Sequence, residues 1–171
     1  MKKIGVLLAL LIGCCFCLQV KGQERQLQHS LLGKKFPKFE VQEWLGKAPD
    51  VKGKFVLVDF WCIMAYPVMH RTVPYQNELA RKYKDTLCGV GLTADEPYIV
   101  SLMVEPDIQY YNGFVSVDVI ENVIGIEGWP TTYLINPEGV VVWEGHVLKS
   151  GEGDKNVFNL TESMLKKFLT E

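Results

Sequence analysis

Residues 54–68 read Lys-Phe-Val-Leu-Val-Asp-Phe-Trp-Cys-Ile-Met-Ala-Tyr-Pro-Val. The apolar run that starts at Phe55, interrupted by Asp59, predicts a buried strand that leads into a short turn and then a helix. Pro67 suits the first turn of a helix, because its missing N–H would have no partner there. A buried strand that turns directly into a helix is where α/β proteins often place their chemistry. The turn between the strand and the helix is therefore the first candidate for a functional site.

Hydrophobic periodicity on either side of this unit predicts further strands and helices. Apolar residues recur at helical spacing from Pro67 to Lys84, which indicates a long helix kinked at Pro74. An edge strand is expected within 34–44, followed by a turn, and a second buried strand is expected at 87–93. Further on we expect a weak helix at 95–104, a short strand at 108–111, a turn at 112–113, a helical segment ending at 125, a hairpin around 136–139 and a final helix capped by Asn159 and Glu162.

Strands that alternate with helices before a closing hairpin predict an α/β fold, with a central mixed β-sheet flanked by helices on both faces. A chain of 171 residues with 48% apolar content can bury one core but hardly two. Met1-Lys2-Lys3 precedes an apolar run from Ile4 to Leu18, which is the pattern of a secretory signal and is short for a membrane span. We therefore expect a signal peptide at 1–22, a tether at 23–32 and one domain at 33–171.

Two processing sites compete within the signal. Leu11-Ile12-Gly13-Cys14 resembles a lipobox, in which the signal ends at Gly13 and Cys14 carries the lipid. Val20-Lys21-Gly22 resembles an ordinary signal-peptidase site. Both predict an exported protein of the bacterial periplasm or cell envelope, and the first adds a membrane tether through the N-terminus.

Charge and motif content exclude several classes of function. The formal net charge is −2 and no basic cluster occurs, which argues against binding to nucleic acid. His29, His70 and His146 are isolated in the sequence, and no group of His, Cys and carboxylate residues has metal-ligand spacing. No Gly-rich phosphate loop occurs. We therefore expect neither a metal nor another cofactor.

The predicted domain contains two cysteines, Cys62 and Cys88, since the other three lie within the signal. Cys62 closes one predicted strand and Cys88 opens another. If these strands are parallel neighbours, the two residues lie roughly 15–20 Å apart at about 3.3 Å per residue, whereas a disulfide needs Cα atoms within about 7 Å. Two free thiols are therefore expected.

Three motifs together resemble the thioredoxin superfamily, in particular the exported TlpA-like thiol-disulfide oxidoreductases, over residues 33–169. They are Gly53-Lys-Phe-Val-Leu-Val-Asp-Phe-Trp61, the helix containing Pro74, and Gly128-Trp-Pro-Thr-Thr-Tyr-Leu-Ile135 with Asn136-Pro-Glu-Gly139 after it. The resemblance implies a thioredoxin-like fold. It also implies a cis bond before Pro130 and a groove beside that proline for an extended substrate.

The chain departs from this family at the reactive pair, Cys-x-x-Cys. Counting from Trp61 places the pair at Ala65 and Val68, and counting back from Pro74 places it at Tyr66 and Met69. Neither register contains a cysteine. Between Trp61 and Pro74 the chain has one residue more than the usual spacing of the family. This insertion predicts a rebuilt turn whose helix starts away from positions 65 and 68.

The resemblance and the missing pair lead to one functional expectation and two alternatives. The leading expectation is a thioredoxin-like protein that has lost dithiol catalysis and binds an extended peptide or another envelope protein. The residues expected to contact it are Trp61, Ala65, Tyr66, Pro67, Val68, Trp129, Pro130 and Thr131. One alternative is a redox enzyme, such as a reductase or peroxidase, that uses Cys62 alone. The catalytic candidates are then Cys62 and Asp59, which matches the buried acid that many thioredoxins place behind their cysteines. The other alternative is a structural envelope component with a filled groove.

Overall fold

The computed structural model describes residues 29–148 and 159–170. The predicted signal peptide, both processing sites and Cys14 lie outside these residues, as does most of the expected tether. Within the two described ranges, no helix is both long and apolar enough to cross a membrane.

A mixed sheet of six strands carries helical segments on both of its faces. The strands are β1 (Glu43–Trp44), β2 (Phe55–Phe60), β3 (Leu87–Thr93), β4 (Tyr111–Phe114), β5 (Thr131–Ile135) and β6 (Val141–Gly145). The helices are α1 (Tyr66–Lys82), α2 (Pro97–Ser101) and α3 (Glu162–Thr170), with a 3₁₀ turn at Ile63–Ala65 and a π-helical segment at Val119–Ile124. The strand order is β1-β4-β3-β2-β5-β6, in which β2, β3 and β4 are parallel and the remaining pairs are antiparallel. This confirms the predicted α/β class and mixed sheet.

Side chains of the central strand β2 alternate between two cores. Val58 and Phe60 pack with the π-helical segment on one face, together with Tyr133 of β5. Leu57 packs on the other face with Leu79 of α1 and with α3. This period-two alternation is the ordinary geometry of a strand that is covered on both sides. It places Asp59 on the same face as Leu57, beneath α1.

The predicted edge strand at 34–44 is mostly wrong. Strand β1 contains only Glu43 and Trp44, and Lys35 forms an isolated bridge with Val140 next to β6. Between them, the rings of Phe36 and Phe39 pack against each other with centroids 5.9 Å apart. The apolar residues that suggested a strand therefore contribute to the core from irregular chain.

The predicted strand at 108–111 and turn at 112–113 are also wrong. Strand β4 begins at Tyr111 and contains both Asn112 and Gly113. Asn112 is buried and accepts a hydrogen bond from Trp61 Nε1. A Cβ at Gly113 would come within 2.9 Å of the backbone oxygen of Glu43. Tertiary contacts therefore place in a strand the Asn-Gly pair that usually marks a turn.

Helix α3 begins two residues later than the predicted capping pair requires. Thr161 Oγ1 accepts the Met164 N–H at 3.3 Å, as an N-cap side chain does. Asn159 Oδ1 instead accepts the Leu148 N–H at 2.8 Å. Thr161 is therefore the N-cap of α3. The predicted cap formed by Asn159 and Glu162 is wrong, because the helix starts at Glu162.

The two cysteines of the described domain are both free and buried, as predicted. Cys88 pairs with Val56, six residues before Cys62, in the parallel β2–β3 ladder. The thiols are therefore roughly 20 Å apart at about 3.3 Å per residue.

Candidate functional site

The turn after β2 is anchored to the end of β3. Trp61 N–H donates to Leu92 O at 3.0 Å, which extends the β2–β3 pairing by one residue. The Ile63 N–H then donates to a carboxylate oxygen of Asp95 at 2.6 Å. The 3₁₀ turn follows, and α1 begins at Tyr66. The position of the turn is thus set by the carboxyl ends of two parallel strands, where α/β folds bind ligands.

The loop before β5 lies beside this turn. Phe60 pairs with Thr131, so Pro130 lies at the position next to Trp61. The Trp129–Pro130 peptide bond is cis. His146 Nδ1 donates to Pro130 O at 2.7 Å, and Thr131 Oγ1 donates to Gly128 O at 2.7 Å. The pairing of Thr131 with Phe60 and the two hydrogen bonds from side chains to backbone oxygens therefore hold this loop in place.

Large apolar side chains are exposed where the turn and the loop meet the solvent. Met64 is 88% exposed, Tyr66 43% and Trp129 37%. Pro67 is exposed as well. We call Met64, Tyr66, Pro67 and Trp129 the turn surface.

The structure divides the residues that the sequence assigned to partner binding into two sets. Tyr66, Pro67 and Trp129 belong to the turn surface, and Val68 is half-buried. Ala65, Pro130 and Thr131 are buried directly behind it. Trp61 is fully buried and bonds to Asn112, so it supports the surface from the interior. Met64, an exposed residue of the turn surface, was not among the predicted contact residues, since neither counting register assigns a role to its position.

A shallow cavity of about 220 Å³ lies on the other side of the turn, at the carboxyl ends of β3 and β4. It is lined by Gln42, Glu43, Ala94, Asp95, Glu96, Pro97, Phe114 and Val115. Asp95 already bonds to Ile63 N–H and to the Thr93 hydroxyl. No group of three or more His, Cys, Asp or Glu residues in the described part of the chain could hold a metal ion.

Cys62 is a poor candidate for a reactive thiol. Its side chain is buried in a cluster with Trp61 and Ala65. Burial raises the pKa of the thiol, the Ala65 N–H partly opposes this, and the negative charge of Asp95 raises the pKa further. A thiol needs its pKa lowered to attack at neutral pH. The environment of Cys62 has the opposite effect.

Asp59 is buried beneath α1, and only 1% of it is exposed. Burial raises the pKa of its carboxyl to about 7, while the Thr132 and Gln76 side chains lower it in part. The Thr132 hydroxyl donates to Oδ1 at 2.7 Å. The Gln76 amide is close enough to affect the pKa, yet its Nε2 has no partner at normal hydrogen-bond length. The burial of Asp59 agrees with the buried acid that the resemblance implies.

Comparison with known proteins gives one sequence relative and several structural ones. No protein-family model matches the chain. The chloroplast protein SUPPRESSOR OF QUENCHING 1 of Arabidopsis thaliana is 31% identical over 121 residues, which are 61% of this chain but 11% of that protein. The chain therefore spans only a small part of its relative.

Three solved structures match most of the chain. A protein described as a thiol:disulfide interchange protein DsbE of Chlorobium tepidum has a TM-score of 0.59 and 23% identity, covering 82% of this chain and 99% of its own. The thioredoxin domain of a Bacteroides vulgatus thiol-disulfide oxidoreductase has a TM-score of 0.58 and 24% identity, covering 81% and 97%. The exposed lipoprotein thioredoxin Etrx1 of Streptococcus pneumoniae has a TM-score of 0.54 and 16% identity, covering 71% and 87%.

The chain has a thioredoxin fold. Its structural neighbours are thiol:disulfide interchange proteins and thiol-disulfide oxidoreductases, in agreement with the resemblance drawn from the sequence.

Within this thioredoxin fold, the two counting registers for the reactive pair have different surroundings. Ala65 is the N-cap of α1, and Val68 lies in the first turn. The expectation that the helix starts away from these positions is therefore wrong, because the 3₁₀ turn absorbs the extra residue. Met69 is 1% exposed and packs in the interior, and the Tyr66 ring lies 4.4 Å from His70. The register with Ala65 and Val68 is the one that places both residues at the helix N-terminus, with Ala65 buried and Val68 half-buried.

Proposed function

We propose that this is an exported thioredoxin-fold protein that has lost dithiol redox catalysis and binds an extended peptide or a partner protein at the turn surface, beside Pro130. The observation that carries the proposal is the exposure of Met64, Tyr66 and Trp129 around the position of the missing cysteine pair. Aromatic and methionine side chains of this kind are enriched in protein interfaces.

Loss of catalysis follows from the residues present at the helix N-terminus. Dithiol exchange needs one thiolate to attack a disulfide and a second thiol to release the mixed disulfide. None of the four residues in the two counting registers has a thiol. Ala65, Val68 and Tyr66 contain no sulfur, and the sulfur of Met69 belongs to a thioether. The nearby thiol of Cys62 is buried, and burial raises its pKa.

Binding is supported by the fixed conformation of the loop beside the turn. His146 and Thr131 hold the backbone of residues 128–130 through two hydrogen bonds of 2.7 Å. A surface that is already ordered loses little conformational entropy when a partner binds. An extended peptide is the class of partner that fits a strand end flanked by exposed apolar side chains.

The test is an NMR titration of the exported form of this protein with a second protein, reduced and unfolded, as the source of extended peptide. Changes in chemical shift then measure binding. Met64→Ser and Trp129→Ser should each weaken binding by about tenfold or more, the effect of an interface hot spot. Val51→Ser is the matched control, since Val51 is a 42% exposed apolar residue before the opposite end of β2. Equal affinities for all three variants and the wild type would contradict the proposal.

The single-thiol alternative is tested by the pH dependence of Cys62 alkylation. We expect slow alkylation in the folded protein and a thiol that titrates above the free value of about 8.5. Rapid alkylation with a lower pKa, together with disulfide reduction that Cys62→Ser abolishes, would favour the enzyme instead.

Export is part of the proposal and rests on the basic and apolar pattern of residues 1–18. The similarity to a lipoprotein thioredoxin is consistent with an envelope location. Cell fractionation with the wild type and Cys14→Ala separates the two processing sites. Membrane association that the substitution abolishes indicates lipidation at Cys14, and a soluble product in both cases indicates cleavage after Gly22. Retention of the wild type in the cytoplasm would refute export.

A further inference from the structure

Helix α2 and the residues directly after it carry exposed apolar side chains that the proposed function does not use. Val104 is 85% exposed, Tyr98 71% and Leu102 60%, and Ile99 is exposed as well. We call these four residues the α2 surface. Single exposed apolar residues are ordinary in folded proteins, but several large ones grouped together usually mark an interaction site.

The other side of the same segment is packed into the protein. Val100 and Met103 belong to an apolar cluster that they share with α1. The Asn77 side chain of α1 donates to Asp107 O at 2.8 Å and accepts the Gln109 N–H at 2.9 Å. The segment is therefore held against α1 at and beyond α2. A partner that binds the α2 surface has little further chain to order.

The spacing of the exposed side chains favours a helical partner. Tyr98, Ile99 and Leu102 follow the i, i+1 and i+4 spacing of one helix face, and Val104 comes two residues later. An extended peptide binds by adding a strand to the edge of a sheet, whereas α2 is a helix and offers no strand to pair with. An amphipathic helix instead packs its apolar side chains between those of another helix.

The charges that flank the α2 surface are negative. Glu96 precedes the helix, Glu105 and Asp107 follow it, and all three are exposed. No lysine or arginine occurs from residue 85 to residue 148. The shallow cavity beside the start of α2 is lined by Glu96 and by two further carboxylates. A partner that covers the apolar side chains therefore meets negative charge at both ends of the segment.

We propose that the α2 surface docks a basic amphipathic helix of a partner protein. The apolar side chains of that helix cover Tyr98, Leu102 and Val104, and its lysine or arginine side chains lie toward Glu96 and Glu105. Opposite charges across an interface accelerate association and select the partner. This docking is separate from the binding of an extended peptide at the turn surface.

The same charges disfavour two other occupants. A second copy of this chain in a symmetric dimer would place the same surface on both sides of the interface, so carboxylates would face carboxylates. An anionic membrane surface attracts basic segments and would repel this acidic one.

The test uses a synthetic peptide composed only of leucine and lysine, with its leucines at helical spacing, as the probe. Isothermal titration calorimetry measures its binding to the exported form of the protein. Leu102→Ser with Val104→Ser should weaken binding by about tenfold or more, as expected for the loss of interface anchors. Val51→Ser with Val117→Ser is the matched control and should bind like the wild type, because both valines are exposed elsewhere on the protein.

A second pair of variants tests the contribution of charge. Glu96→Gln with Glu105→Gln should weaken binding several-fold at low salt and much less at high salt, where exposed charges are screened. Glu121→Gln with Glu138→Gln removes two exposed carboxylates from other parts of the chain and should have a smaller effect. Equal losses in the two double variants would mean that the peptide is attracted by net charge alone, which would overturn the proposal.

Three further results would also overturn it. The first is that the wild type does not bind the peptide. The second is a loss of binding in Met64→Ser and Trp129→Ser but not in Leu102→Ser with Val104→Ser, which would assign the peptide to the turn surface and leave the function proposed there standing. The third is binding to phosphatidylglycerol vesicles that Leu102→Ser with Val104→Ser abolishes, which would make the α2 surface a membrane contact.

Discussion

The turn at Cys62–Tyr66 and the loop at Gly128–Thr131 lie side by side at the ends of the inner strands β2 and β5, yet they are built in different ways. The loop is held by strand pairing at Thr131 and by the His146 bond to Pro130 O. The turn is tied to the sheet through Asp95 and Ile63, while Met64 extends into solvent. The loop carries the Gly128-Trp-Pro-Thr131 motif through which the sequence resembles the thioredoxin superfamily, whereas the turn lacks the Cys-x-x-Cys pair.

This difference separates what the fold needs from what the chemistry needs. The loop residues complete the pairing between β2 and β5, so replacing them would disturb the sheet. The two positions of the missing pair carry no such duty, because Ala65 and Val68 lie outside the strands, at the N-cap and in the first turn of α1. On the proposal that dithiol catalysis is lost, the turn can therefore change while the loop is retained.

The sharpest way to break the comparison is to restore the cysteines. Ala65→Cys with Val68→Cys places two thiols at the N-cap and first turn of α1, where the helix dipole favours a thiolate. From the sequence alone, a displaced helix start would leave this variant inactive. Because Ala65 is the N-cap of α1, we expect it to reduce a protein disulfide at a rate above background. Insulin reduction at neutral pH is the measurement.

The matched control uses the other register, Tyr66→Cys with Met69→Cys. Met69 is 1% exposed in the interior, so its truncation should cost about 2–3 kcal/mol of unfolding free energy and give no turnover. Activity in this variant, or its absence in the first one, would mean that the turn is remodelled in a way that the position of the helix does not reveal.

A second prediction concerns the acid behind both regions. Burial raises the pKa of Asp59 to about 7 in the folded state, from an ordinary value of 3.8. The folded state therefore binds more protons between about pH 4 and pH 7, and its stability should fall as the pH rises through this window. At about 1.4 kcal/mol per pKa unit, the loss is at most about 4 kcal/mol.

Urea unfolding of the wild type and of Asp59→Asn from pH 4 to pH 8 measures this loss. The difference between the two proteins should change steadily across the window, because the variant has no carboxyl to titrate at this position. A constant difference would show that Asp59 keeps the same pKa in both states.

The smallest predicted effect compares two histidines. His146→Ala removes the bond to Pro130 O and should lower the unfolding free energy by about 1 kcal/mol. His70→Ala at the turn removes only an exposed ring contact with Tyr66 and should change it by less than about 0.5 kcal/mol. Thermal or urea denaturation of both variants is sufficient. Equal losses would mean that the loop and the turn are held with the same strength.

Much of the fold was predictable because its central strands are mostly apolar. Strand β3 was placed correctly at 87–93 and β2 at its start, residue 55, although β2 ends at Phe60 and not at Cys62. The helix after the turn was placed within two residues at its C-terminal end by its apolar spacing. Strand β4 was missed because Asn112 and Gly113 favour a turn locally, and only their contacts with Trp61 and Glu43 place them in the sheet.

The candidate site was predictable in outline and not in detail. Motif matching found the turn and the loop, but not the exposure of Met64 or the burial of Trp61. The polar atoms around Asp59 could not be predicted, because their meeting depends on which face of α1 covers the sheet. Sequence spacing places Thr72 and Gln76 on one face of α1, and only the packed structure brings Gln76 and Tyr110 close to Asp59.

The segment before the sheet has a consequence for how this protein behaves in a crowded compartment. Gly33 N–H donates to Val141 O, and Lys34 O accepts the Val141 N–H, so the chain lies along the outer edge of β6. An uncovered strand at that edge would present unpaired backbone groups to a second molecule. Residues 33–36 therefore cover this edge and protect the sheet against edge-to-edge aggregation. A truncation that removes residues up to 36 is expected to expose a template for intermolecular β-pairing.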